Sequence, residues 1–186
     1  MNEEWVLAVD ANDDPVPSVT RTEAVSRGLW RRAAGGLAVD AARGLVLCHR
    51  RSPLKDERPN QWVATFGGKA HEGEEYEQTA IRELFEEFGL RVAPTMLHFF
   101  DKHRAERRRQ YEYLFYAFID SEHQAISADP NEVAEFRWLP VNFAVDRLEE
   151  DVHWYTYGYE IGMLRNVEAT WRRMRKVAKV SHAVRR

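Results

Sequence analysis

Three carboxylates at helical spacing, Glu83, Glu86 and Glu87, are the residues of this chain best placed to do chemistry. They stand at i, i+3 and i+4, so in a helix of about 3.6 residues per turn they share one face. With Ala80 at zero on the helical wheel, they span an arc of roughly 100°, while Ala80, Ile81, Leu84, Phe85 and Phe88 fill a separate arc of roughly 140°. One face is expected to pack and the other to hold charge. Like charges at this spacing repel, so the cluster persists at little cost only with a cation or with bound protons. A divalent metal is the natural counter-charge. Hard, oxygen-rich ligation suits magnesium or manganese better than zinc.

The neighbouring residues explain how such a site would be built. Gly67 and Gly68 follow a predicted strand, Gln61 to Phe66, and paired glycines let the backbone turn sharply and approach a metal or a phosphate. Glu74, Glu75 and Glu77 are expected in the first helical turn, where negative charge complements the macrodipole, and Gly89 is expected to end the helix in the left-handed conformation. Arg82 falls at the border of the acidic arc, where its fork can pair with a carboxylate such as Glu74 and fix the preceding loop. A pyrophosphate repels nucleophiles through its anionic oxygens, so metal held by the acidic face would neutralise them and orient a water. The carboxylates open to taking that water's proton are Glu86, Glu87, Glu112 on a later strand and Glu132 in the loop after Pro130. Arg50, Arg51 and Lys55 read equally as contacts to substrate phosphates and as surface charge. Tyr111, Tyr113 and Trp138 offer stacking surfaces for a base, but core packing is the preferred reading of each.

The 23-residue run that opens at Gly68, GKAHEGEEYEQTAIRELFEEFGL, resembles the Nudix box, G-x5-E-x7-R-E-U-x-E-E-x-G-U with U aliphatic. It matches at Gly68, Glu74, Arg82, Glu83, Leu84, Glu86, Glu87, Gly89 and Leu90, and His71 stands as a loop residue where many family members have an acid. The resemblance implies an α+β fold, an α/β/α sandwich around a central mixed sheet flanked by helices, and metal-dependent hydrolysis of a diphosphate linked to another moiety. By position, Glu86 and Glu87 would be the main metal ligands and Glu83 a ligand or supporter. Gly67 and Gly68 would supply a backbone carbonyl, and Arg82 would be structural, pairing with Glu74.

Segments outside the box, TRTEAVSRGLWRRAAGGLAVD, RRSPLKDERPNQWVATFGG and NEVAEFRWLP, are similar to the branch that holds type 1 isopentenyl-diphosphate isomerase and its hydrolase-like relatives. That similarity spans roughly Trp5 to Leu148. An isomerase is therefore the alternative enzyme, with Glu112 as the metal-binding feature it shares. The isomerase pattern C-G-H is replaced here by Gly67, Gly68 and Lys69, and Arg31 stands where another metal histidine lies, so the equipment for isomerisation is missing. A non-catalytic, nucleotide-binding Nudix module is the third reading. The intact glutamate set opposes it, because loss of catalysis removes the reason to keep such charges together.

Length and composition agree with a single domain. The chain has 186 residues, 44% of them hydrophobic, with a formal net charge of −3. That length buries one sizeable core, and the charge balance gives no bias toward nucleic acid or membrane. Cys48 is the single cysteine, which rules out an intrachain disulfide, and no apolar stretch reads as a signal peptide or membrane span. A cytoplasmic protein with a small-molecule diphosphate substrate is expected, and a homodimer is compatible with it. The single domain, 1–186, divides into an N-terminal strand and helix (1–30), a core (31–150) and a C-terminal amphipathic helix (156–180).

The expected elements are a strand at 5–9, a helix at 22–29, a hairpin of 37–40 with 45–50, the strand at 61–66 and the acidic helix. A second strand pair, 96–102 with 111–119, follows across a charged connector at 104–109, then a strand at 136–139 and a helix near 143–148. The last helix carries apolar residues at Tyr157, Ile161, Leu164, Trp171, Met174 and Ala178. From Arg165 to Arg186 eight Lys or Arg residues stand against one acid, Glu168, which reads as a solvated basic face.

Overall fold

The computed structural model describes residues 5–17, 19–155 and 158–183, with side chains described as far as Arg172. In chain order the elements are β1 (Trp5–Val6), β2 (Ala8–Val9), β3 (Val19–Thr20), α1 (Arg21–Ser26), β4 (Trp30–Asp40), β5 (Leu45–Arg51), β6 (Trp62–Val63), β7 (Thr65–Lys69), α2 (Tyr76–Phe88), β8 (Leu97–Ala105), β9 (Gln110–Phe118), β10 (Val133–Pro140), α3 (Val141–Glu150) and α4 (Glu160–Ala183). The chain divides into two compact units. One holds the described residues of 1–36 and 66–117, the other those of 37–65 and 118–183, and β4, β7 and β9 each contribute to both.

The first unit carries the acidic helix. The start of β4 pairs with β2, antiparallel, through Ala8 with Arg31 and Val9 with Trp30; β7 and β9 also pair with β4, and β8 runs antiparallel to β9. Beside this sheet, Val6, Ala8, Val19 and Ala24 form a small core under Val16 and Leu29. Helix α1 starts where Thr20 caps it, the hydroxyl accepting from the Glu23 amide at 3.2 Å. Helix α2 starts one residue after Glu75, whose amide donates to the Gln78 side chain at 2.8 Å, and it stops at Gly89, which takes the left-handed conformation. Glu74 and Glu75 therefore precede the helix, and of the three acids expected in its first turn only Glu77 lies there.

In the second unit, β5 pairs antiparallel with the end of β4, with β10 and with β6. The β4–β5 turn is closed by Asp40, which accepts from the Arg43 amide at 3.0 Å and from the Ser121 hydroxyl at 2.5 Å. Helix α4 buries Glu160, Met163, Leu164 and Val167, leaves Ile161 and Trp171 half-buried and packs along α3. The expected apolar stripe is thus present as far as Trp171. Tyr157 lies outside the described residues, and the side chains of Met174, Ala178 and the basic run past Arg172 lie outside the described side chains.

Glu160 is fully buried and accepts from the Thr65 hydroxyl at 2.7 Å, a bond that a carboxylate in the interior requires. On β5, burial, and next the charges of Arg51 and Lys55, push His49 down to about 3, so this histidine is neutral at ordinary pH.

The expected strands are recovered with shifted ends. The segment 61–66 is two strands, β6 and β7, separated at Ala64, and β7 runs on through Gly67 and Gly68. The connector at 104–109 is shorter than expected, because β8 continues to Ala105 and Arg109 turns left-handed before β9.

Candidate active site

Helix α2 presents its acids to the glycine pair of β7. An ideal Cβ built on Gly68 would lie 2.3 Å from Glu83 Oε1, and one on Gly67 would lie 2.6 Å from the carbonyl oxygen of Ala34. Only glycines admit the Glu83 carboxylate and the β4 backbone this closely. Glu87, only 7% exposed, accepts from the Gly67 amide at 3.0 Å through Oε1. That contact overturns the expectation that Glu87 points away from the interior. Phe85, expected on the packing face, is instead 42% exposed beneath the Arg91 guanidinium, 4.3 Å from its ring centre.

Arg82 organises the cluster. Its Nε donates to Glu74 Oε1 at 2.7 Å, and Nη2 donates to Glu74 Oε2 at 3.0 Å and to the Lys69 carbonyl at 2.8 Å. Its Nη1 bridges Glu83 Oε1 at 2.7 Å and Glu86 Oε2 at 2.8 Å. The five N–H donors of a guanidinium all find acceptors. Burial by itself would lower the Arg82 pKa, yet the hydrogen bonds and charges of Glu74 and Glu83 hold it above its ordinary value. For Glu74, burial works to raise the pKa, and the bonds from Arg82, the His71 amide and Thr79 bring it below the usual carboxylate range. The predicted Arg82–Glu74 pair is present and ties the loop at 69–74 to the helix.

Among the described residues no three His, Cys, Asp or Glu side chains converge at metal-ligand spacing. The conformations explain this: Arg82 draws Glu83 and Glu86 to itself, while Glu87 turns to the Gly67 amide. In chemistry and placement the donors still fit a hard divalent ion. They are carboxylate oxygens, with glycine backbone beside them, and the bridge between Glu83 and Glu86 is already made by a cation.

The remaining candidates are placed as follows. Glu112, 6% exposed, lies on β9 and pairs with Arg108 at 2.8 Å. It is not on the edge strand, since β8 lies outside β9. The second unit holds Glu132, Arg50, Arg51 and Lys55. There Lys55 pairs with Glu132, Arg50 donates to Asn60 at 3.2 Å, and Arg51 donates to the Glu57 carbonyl at 3.0 Å. Of the aromatic candidates, Tyr111 packs on Trp30 with ring centres 4.9 Å apart, Tyr113 stacks on Tyr76 at 3.7 Å, and Trp138 is half-buried.

One positioning group escaped the sequence reading. Asp13, at a φ of 71°, is buried and accepts from the Tyr76 hydroxyl at 2.8 and 2.9 Å, from Arg32 Nε at 2.9 Å and from Lys102 Nζ at 2.7 Å. Aspartate tolerates this backbone region better than most residues, and three donors hold it there. Through Tyr76 and Asp13 the first turn of α2 is tied to Arg32 of β4 and Lys102 of β8. Tyr76, an aromatic residue between Glu75 and Glu77, was the one available signal.

The acidic helix beside a glycine pair, carried on a sheet flanked by helices, is the arrangement of a Nudix protein. A family model described as NUDIX domain matches residues 29–159, and the chain belongs to that family. Its fold is the α/β/α sandwich with a mixed central sheet that the resemblance implied, and it is a hydrolase. It is 32% identical over 146 residues to an uncharacterized Nudix hydrolase of Pseudomonas aeruginosa, covering 77% of this chain and 82% of that one. An uncharacterized Nudix hydrolase of Yersinia pestis is 29% identical, with 79% of each covered. Among solved structures, DR0079 of Deinococcus radiodurans is similar with a TM-score of 0.68 at 20% identity, covering 88% of this chain and 99% of that one. A bifunctional NMN adenylyltransferase/ADP ribose pyrophosphatase of Francisella tularensis, complexed with AMP and a Mn ion, is similar with a TM-score of 0.55 at 18% identity, covering 75% of this chain and 42% of that one. Among the described residues no helix is long and apolar enough to cross a membrane.

Proposed function

We propose that this hydrolase cleaves a phosphoanhydride bond in a small diphosphate-containing substrate, nucleoside diphosphate-linked or similar, using Mg²⁺ or Mn²⁺ held by Glu83, Glu86, Glu87 and the backbone of Gly67 and Gly68. One observation carries this reading: carboxylates of a single helix face gathered around a cation, against a glycine pair that the Glu83 carboxylate and the β4 backbone approach closely. The similarity to a protein complexed with AMP and a Mn ion supports it.

When bound, the ion neutralises phosphate oxygens and makes a coordinated water more acidic. The chain's own residues do the rest. Glu87 accepts from the Gly67 amide at 3.0 Å, which fixes the carboxylate that would help hold the ion beside the glycine pair. Glu74 and Arg82 lock the loop at 69–74 to the helix, so the glycine backbone and the carboxylates keep a common frame. Glu86, 51% exposed, is the carboxylate able to turn toward an incoming substrate complex.

The test is a panel of nucleoside triphosphates, dinucleoside diphosphates, sugar diphosphates and prenyl diphosphates, incubated with Mg²⁺ or Mn²⁺ and again with excess chelator. Release of phosphate or of a monophosphate product from at least one compound, abolished by the chelator, is expected. Isomerisation of isopentenyl diphosphate without hydrolysis, or turnover unaffected by chelator, contradicts the reading.

A further inference from the structure

The two ends of the Arg82 guanidinium do different things. Nε and Nη2 grip parts of the loop, the Glu74 carboxylate and the Lys69 carbonyl. Nη1 grips the helix acids, Glu83 and Glu86, at 2.7 and 2.8 Å. Those two are among the carboxylates assigned above to a divalent ion. Nη1 takes one oxygen of each, and a guanidinium and a divalent cation drawn to the same two carboxylates repel, so each weakens the other's hold on Glu83 and Glu86.

From this geometry we propose that Arg82 is a built-in competitor of the metal. Nη1 neutralises Glu83 and Glu86 in the ion-free protein and is displaced when the ion arrives, while Nε and Nη2 keep the side chain tethered to Glu74 and Lys69. The inference rests on the proposed function, in that α2 takes a divalent ion. It adds a regulatory role that the pairing of Arg82 with Glu74 does not imply. The ion-free protein then stays folded without a repulsive acidic face, and the ion's affinity is set by what it must displace. Glu86 is half-exposed and sits on the surface turn of α2, so releasing it from Nη1 requires no rearrangement of packed side chains.

Two measurements on the full chain test this. First, Mn²⁺ binding is measured by titration calorimetry on the wild type and on Arg82→Gln. Loss of the competing charge is expected to tighten binding by about tenfold, the scale on which a neighbouring unit charge shifts an ionic equilibrium. The ion-free variant should melt at a lower temperature than the wild type, and the gain in melting temperature on adding Mn²⁺ should be larger. Arg82 as a mere support for its neighbours predicts the opposite sign, because splayed carboxylates bind the ion less well. A folded Arg82→Gln that binds Mn²⁺ equally or more weakly overturns the proposal.

Second, the wild type is followed by ¹⁵N NMR of the arginine side chain as Mg²⁺ is added, which keeps the test alive if the variant does not fold. Hindered rotation of the Arg82 Nη1 group is expected to be lost on saturation, with the Nε–H signal little changed. An Nη1 group still held at saturation overturns the proposal and leaves the hydrolase reading intact. Absence of any Mn²⁺ or Mg²⁺ binding by the wild type, with substrate analogue present, would overturn that reading and this inference with it.

Discussion

Glu86→Gln and Glu87→Gln are each expected to lower turnover by about 100-fold or more while leaving the fold intact, since even outer-shell partners of metal ligands are worth roughly 10–100-fold. The two variants fail chemically for one reason and survive structurally for two. Each removes a negative charge that would hold the ion in place. At Glu86 the side chain is half-exposed, and the surface pair it gives up with Arg82 contributes about 1 kcal/mol or less. At Glu87 the side chain is buried, yet a glutamine oxygen of the same shape still accepts from the Gly67 amide. Steady-state kinetics beside thermal melts check both halves. Glu77→Gln, on the exposed side of the first turn, serves as the control and should keep its rate. Wild-type rates in both ligand variants would show that the acidic face does not hold the catalytic ion.

Gly36→Ala is expected to cost about 3 kcal/mol or more of stability, at the upper end of what overpacking does. Gly36 sits in β4 at a φ of +155°, and a Cβ there would lie 1.8 Å from the Phe115 carbonyl oxygen and under 3 Å from two further backbone atoms of that residue. A flexible side chain could move aside, but a neighbouring strand's backbone cannot without breaking the β4–β9 pairing. For a chain of this length the melting temperature should fall by roughly 6–12 °C. A fall of a degree or less would mean that the two strands do not approach so closely.

How much of this was legible beforehand follows from distance along the chain. The acidic helix, its left-handed stop at Gly89 and the Arg82–Glu74 pair all lie within a short run, where helical period and side-chain reach determine who meets whom. The wheel was right in period and wrong in phase. The residues that α2 buries are Tyr76, Thr79, Ala80, Leu84, Glu87 and Phe88. Relative to Ala80, Glu87 lies only roughly 20° away and Phe85 roughly 140°, so the interior takes the glutamate and leaves the phenylalanine out. Hydrophobicity alone cannot reveal that, because the deciding partner is the Gly67 amide on another element. The Asp13 network was illegible for a plainer reason. Its partners Tyr76 and Lys102 are 63 and 89 residues away, and nothing local marks an aspartate in a turn-rich stretch as a buried acceptor. Glu132 and Lys55 show the same limit. Each was given its own role at the sequence level, and the fold pairs them with each other across 77 residues.

The most direct test of the acidic face as a metal site is a crystal of the wild type soaked with Mn²⁺ and a non-hydrolysable diphosphate analogue, measured at the manganese absorption edge. The account predicts an anomalous peak about 2.0–2.3 Å from oxygens of Glu86 and Glu87, next to Gly67 and Gly68, with the analogue's phosphate oxygens completing the shell. A peak elsewhere on the chain, or no peak with the analogue bound and Arg82 still bridging Glu83 and Glu86, would contradict it.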